Sequence, residues 1–243
     1  MSGTTVAVGD IEIGHHITVV LFGLTFNVDT ILATVVAGAI VIGLGLLVTR
    51  RISARKPSRT QLVFETVTAQ VRDQVESTMG IRTAPFVVPL AISLFLFILI
   101  ANWLALIPTG HDPEYLPPPA SDVNLAYALA LLVIVWMHVT GVRKKGFKAY
   151  YHHLTQPTWI LFPINLVEEI ARPITLSLRL FGNIFSGVIM LGLIALFPAY
   201  ILWAPNIIWK LFDLFIGLIQ AFIFALLTIL YFGSVAPSED EGH

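Results

Sequence analysis

Ile31–Val48 reads ILATVVAGAIVIGLGLLV, an apolar run interrupted only by Thr34, and it stops at Thr49-Arg50-Arg51. At about 1.5 Å per residue, a helix of this length spans the roughly 30 Å hydrocarbon core of a bilayer with little to spare. Residues 31–49 are therefore read as a membrane span. The composition agrees: 56% of the 243 residues are hydrophobic, 12% are charged and mean hydropathy is +0.84. Soluble domains carry about a quarter charged residues. The solvent for most of this chain is lipid.

Outward from that run, the polar stretch 50–82 holds seven of the fourteen Lys and Arg residues. Within it Val63, Val67, Val71, Val75 and Met79 recur every fourth position. With Ser58 or Thr60 as a start signal and Gly80 as a stop, 58–80 reads as an amphipathic helix lying on the membrane surface. Residues 84–107 form a second span, with Pro89 near its start. The loop 108–122 has five prolines and three acids but neither Lys nor Arg, and a third span at 123–142 ends in Arg143-Lys144-Lys145 and Lys148. Basic flanks thus alternate with flanks that lack positive charge. The positive-inside rule then puts the N-terminal segment 1–30 outside and both basic loops in the cytoplasm. Residues 1–30 lack Lys and Arg, so no cleavable targeting peptide is expected, which suggests a bacterial inner (plasma) membrane.

Two long apolar segments remain, 158–198 and 201–235. As continuous helices, their apolar parts would be roughly 58 Å and 48 Å long. Neither fits upright in a core of about 30 Å, and the first would need a tilt well beyond the usual limit of about 40° unless Pro173 or Gly182 breaks it. The expected fold is an all-α integral membrane protein, a single membrane domain of about five membrane helices plus one surface helix. The last two helices form a steeply tilted hairpin that returns an acidic tail, 236–243, to the cytoplasm.

That hairpin carries two polar seams. Glu168, Arg172, Thr175, Arg179, Asn183 and Ser186 follow steps of three and four and share one helix face. Lys210, Asp213, Gly217, Gln220, Phe224 and Thr228 do the same on the second helix. An Arg at mid-membrane costs on the order of 3 kcal/mol on insertion scales. It cannot escape by losing its proton, because its pKa lies above about 12. Such charges line a pathway or meet a partner charge. Arg172 has two open readings, a local ion pair with Glu168 or a channel role, and Lys210 suits snorkelling to the headgroups. Arg179 has only neutral Thr175 and Asn183 near it on its own face. Its counter-charge is Asp213 or a group on another protein, and the latter is favoured.

Other chemistry is not indicated. There is no Cys, hence no disulfide framework or thiolate metal site. The seven His residues include two adjacent pairs, His15-His16 and His152-His153, which do not share a helix face, so no metal is expected. Phosphate-cradling glycine loops and a nucleophile elbow are absent. No cofactor, nucleotide site or nucleic-acid partner is expected.

At Pro173–Asn183, PITLSLRLFGN, the chain closely resembles the signature of subunit a of rotary ATP synthases. Gln220–Thr228, QAFIFALLT, resembles that family's second hairpin helix, and Ala120–Asn124, ASDVN, its acidic-Asn motif. The resemblance extends from about residue 26 to 235. It implies a non-catalytic, proton-translocating stator subunit with two offset half-channels beside a rotating c-subunit ring. The implied partners are that ring, peripheral-stalk b-type subunits, the remainder of the synthase complex and membrane lipid. Arg179 matches the family's essential arginine, so its counter-charge would be the ring carboxylate. That group must be protonated where it faces lipid and favours its charged form beside the arginine. The resemblance puts Glu168, Glu169 and Arg172 toward the cytoplasmic half-channel and Asp213 toward the external one. Gln220 and Asn183 would sit near Arg179, with Ser186 on the same path and Asp122 at the external mouth. Val188 departs from the pattern: many members have an acidic or His residue there. Asp213 is therefore expected to carry the relay role alone. The competing reading is a secondary transporter or ion channel binding an anionic substrate through Arg179. It would call for matched helix breaks in two halves, which the sequence lacks.

Overall fold

The computed structural model describes residues 18–21, 24–50, 58–81, 84–104, 123–147 and 200–235, together with residues 167, 171, 174–175, 177–178, 182, 186–187, 189–190 and 192–198. The fold is helical and multi-pass, as expected, with one feature that the sequence reading did not foresee. A short antiparallel hairpin, β1 (Thr18–Leu21) with β2 (Leu24–Asn27), pairs Thr18 with Asn27 and Leu21 with Leu24 and leads directly into the first helix.

Helix α1 runs Val28–Arg50. It buries only Asp29, Thr30, Ala33 and Ala37 and leaves Ile31, Leu32, Val35, Ile42 and Leu47 on its open side. An exposed apolar helix is what a bilayer requires, since the faces not touching protein must match lipid tails. Helix α2 spans Arg59–Met79. Of the two candidate caps Ser58 takes the position, its Oγ accepting from Gln61 N at 3.2 Å, which satisfies one of the otherwise orphaned first-turn donors. Gly80 ends the helix at φ 72°, a left-handed value that glycine adopts without a Cβ clash. The apolar stripe of α2 is only partly covered: Val75 and Met79 are buried, whereas Val63 and Leu62 are exposed.

Helix α3, Val87–Trp103, is the centre of the fold. Ala91, Ile98 and Ala101 are fully enclosed, and α1, α2 and the last helix all pack on it. Pro89 sits in its first turn, where its missing N–H interrupts no ladder. Phe86, just before α3, stacks on Trp136 with centroids 5.7 Å apart and meets Phe232 edge-on at 5.5 Å, tying three helices together. Helix α4, Val123–Lys145, buries Ala126, Ala130, Val133 and Met137, a four-three-four spacing that forms one narrow stripe. The chain turns through 195–198 and 200–202 before α5, Trp203–Val235, whose 33 residues would extend about 50 Å. Three of these helices, α1, α4 and α5, are long and apolar enough to cross a membrane, and α3 is a shorter apolar helix.

Candidate functional site

Helix α5 turns its polar seam inward. Gly217, Gln220, Phe224 and Thr228 are buried, each three or four residues from the last, and Asp213 at the head of the series is partly buried. Thr228 satisfies its hydroxyl locally by donating to Phe224 O at 2.9 Å. Gln220 does not: its side chain is 5% exposed and its Nε2 has no hydrogen-bond partner among the described residues. A buried amide left this way costs about 1–3 kcal/mol. An orphan of that kind in a native protein is commonly explained by an ion, a water or a functional partner.

Two elements frame this seam. From α3, Asn102 Nδ2 donates a long hydrogen bond to Gly217 O at 3.4 Å, and Trp103 Nε1 approaches Leu214 O at the same distance. Both contacts fall between Asp213 and Gln220, so α3 fixes the rotation of α5 at the level of its polar groups. From the segment before the turn, Gly187 faces Asp213, and a Cβ at Gly187 would lie 4.0 Å from the Asp213 carboxylate Oδ1. A side chain larger than methyl would occupy the space in front of that carboxylate.

The first seam is described only in part. Thr175 and Ser186 are exposed, Thr175 donating to Ala171 O at 2.7 Å, while Ser177, Gly187 and Ile194 are turned inward. Arg179, Glu168, Glu169, Arg172, Asn183 and Asp122 lie outside the described residues. The structure thus places Gly187 of the first segment before Asp213 of the second seam, with Gly217 and Gln220 following Asp213 along the inward side of α5. Sequence reasoning missed Asn102, Trp103 and Gly187. Asn102 carried a signal, being the one carboxamide in the apolar run 84–107. Gly187 carried none, because a glycine in an apolar helix gives no hint of what it faces. Among the described residues no group of His, Asp and Glu could hold a metal ion.

Comparison with known proteins adds an independent observation. Residues 31–233 match the ATP synthase A chain family. The chain is 52% identical to ATP synthase subunit a of Acidothermus cellulolyticus over 233 residues, covering 96% of this chain and 86% of that one. It is 51% identical to ATP synthase subunit a of Mycobacterium tuberculosis over 251 aligned positions, 98% of this chain and 99% of the relative. The likeness reaches ATP synthase subunit a of Bacillus velezensis at 38% identity over 88% of this chain and 94% of that one.

Proposed function

Because the chain belongs to the ATP synthase A chain family, we propose that it lets protons reach and leave a rotating c-subunit ring through two offset half-channels, with Arg179 as the fixed charge between them. At the coarser level it is the proton-translocating subunit of the membrane sector, a multi-pass membrane protein that works in a complex with other subunits. The ring and the b-type peripheral-stalk subunits are the partners this reading requires.

The observation that carries the finer reading is the seam of α5. Asp213 stands partly buried opposite Gly187, and Gln220, two turns further on, keeps a buried Nε2 that has no partner among the described residues. A carboxylate at an accessible level followed by an amide deeper in is an arrangement suited to proton delivery. Asp213 takes up the proton from the external side, and Gln220 with Asn183 orients water or Arg179 at the handover. The exposure of Thr175 and Ser186 supports a first seam that faces another subunit. On the far side Glu168, Glu169 and Arg172 line the cytoplasmic exit, and Asp122 lies at the external mouth. The N-terminus is outside and the C-terminus cytoplasmic.

Arg179 has two tasks in this mechanism. It holds the arriving ring carboxylate in its charged form, so that the proton leaves on one side and is replaced on the other. Its positive charge also repels protons, which closes the direct leak between the half-channels. The driving force available is about 2.3 kcal/mol per elementary charge per 100 mV. The test is proton translocation in vesicles holding the assembled complex, wild type against Arg179→Ala. The expected result is lost ATP-driven pumping with a raised passive leak. Normal pumping by an assembled Arg179→Ala complex would overturn the assignment.

A further inference from the structure

Helix α2 does not lie flush on the membrane helices. A cavity of about 220 Å³ opens between it and the α3–α5 pair, lined by Thr66, Gln70 and Gln74 of α2, Phe95 of α3, and Phe222 and Leu226 of α5. The walls are overwhelmingly apolar. Phe222, 49% exposed, and the exposed Gln70 stand at its open side, while Phe95, 9% exposed, closes it from within.

The α2 side of this groove continues beyond it. Residues 59, 62, 63, 66 and 70 fall within an arc of about 100° around the helix at 3.6 residues per turn. Along that strip the groove wall at Gln70 and Thr66 gives way to exposed Leu62 and Val63, and the strip ends at exposed Arg59. From Gln70 to Arg59 is about 16 Å along the helix axis. Arg59 forms no ion pair among the described residues, and the stretch 50–59 carries five Lys and Arg residues. The order is therefore an apolar slot, an exposed apolar shelf and a cation with no ion pair among the described residues. A basic cluster directly after a membrane span and at the head of an amphipathic helix is the pattern that recruits anionic headgroups. A protein helix seated here would need an acid opposite Arg59. A single acyl chain with an anionic head matches all three parts.

We propose that this groove is a binding site for one anionic phospholipid, with an acyl chain between α2 and α5 and its phosphate at Arg59. The bound lipid fills the gap between the surface helix and the bundle. The inference rests on the membrane reading of the chain and not on the proton path.

The test uses the assembled complex in vesicles containing phosphatidylglycerol or phosphatidylcholine, each with a photoactivatable diazirine at mid-chain. Label at Phe95 reports the groove, because that ring is 9% exposed and lines it. Phosphatidylglycerol should label it roughly fivefold more than phosphatidylcholine, the effect of one basic residue near an anionic head. Arg59→Gln should bring the two lipids to the same level, and Gln70→Trp, which fills the slot from its open side, should abolish both. Equal labelling by the two lipids in the wild type would overturn the proposal, as would absence of lipid label at Phe95 or its replacement by a cross-linked polypeptide. Should Gln70→Trp fail to assemble, the wild-type and Arg59→Gln measurements decide alone. Proton pumping does not enter the readout, so a failure here leaves the proposed function untouched.

Discussion

Asn102 and Gly217 are 115 positions apart and touch through backbone and side chain at once. The Asn102 amide donates to Gly217 O at 3.4 Å, and a Cβ placed on Gly217 would come within 3.0 Å of Asn102 Cβ. The glycine is what allows α3 and α5 to approach at this level. Gly217→Ala should push the helices apart by a few tenths of an ångström and cost about 1–3 kcal/mol, the usual range for overpacking. Because Asp213 and Gln220 flank the contact within one turn, pumping should fall along with thermal stability of the assembled complex. Gly217→Val should be worse on both counts. A Gly217→Ala complex with wild-type melting temperature and pumping rate would show that the approach has slack.

Gly233 near the end of α5 meets α2 still more closely. A Cβ there would lie 2.5 Å from Thr78 Cγ2. Gly233→Ala is therefore expected to destabilise by about 1–3 kcal/mol. Thr78→Ser removes the methyl while keeping the hydroxyl that donates to Gln74 O at 2.7 Å. The double variant should recover most of the loss in a thermal-unfolding cycle. Independent, additive effects would mean that the two positions do not clash.

Asp213 and Gly187 make a graded test of the proposed entry path. The 4.0 Å separation leaves room for a methyl group in ordinary contact, so Gly187→Ala should pump nearly as well as wild type. Gly187→Leu fills the space before the carboxylate and should lower ATP-driven pumping at least tenfold. Asp213→Asn should have an effect of the same order. Equal pumping by Asp213→Asn and wild type would remove Asp213 from the path.

Gln220 separates function from stability. Its buried Nε2 is unpaired among the described residues, so replacing the side chain by an apolar one of similar size forfeits little within the subunit. Gln220→Leu should change the melting temperature of the assembled complex by no more than a degree or two, since swapping an unsatisfied buried polar group for an apolar one is near neutral. Pumping should nevertheless drop several-fold. A large loss of stability with pumping retained would make Gln220 a structural residue.

Read as a sequence, the chain already states that it lives in a bilayer. Runs such as Ile31–Val48 can be measured against a hydrocarbon core, and the spacing Asp213, Gly217, Gln220, Phe224 fixes one face of a helix before any neighbour is known. The family is legible in Arg179-Leu180-Phe181-Gly182-Asn183. What the spacing cannot say is which faces meet. In water an apolar face must find another one, so hydropathy predicts burial. In lipid the tails are as apolar as leucine, and an apolar stripe is equally content against protein or bilayer. That is why Val63 is exposed while Val75, twelve positions along the same stripe, is fully buried. It is also why the small residues mattered more than the large ones. Gly217 against Asn102, Gly233 against Thr78 and Gly187 before Asp213 are contacts between segments far apart in the chain, and only the packed structure brings them together. The sequence determined the solvent, the long apolar helices α1, α4 and α5, and the polar face of α5. The tertiary structure decided what that face looks onto, because helix association in a membrane is governed by close fit between backbones rather than by the periodicity of hydrophobic residues.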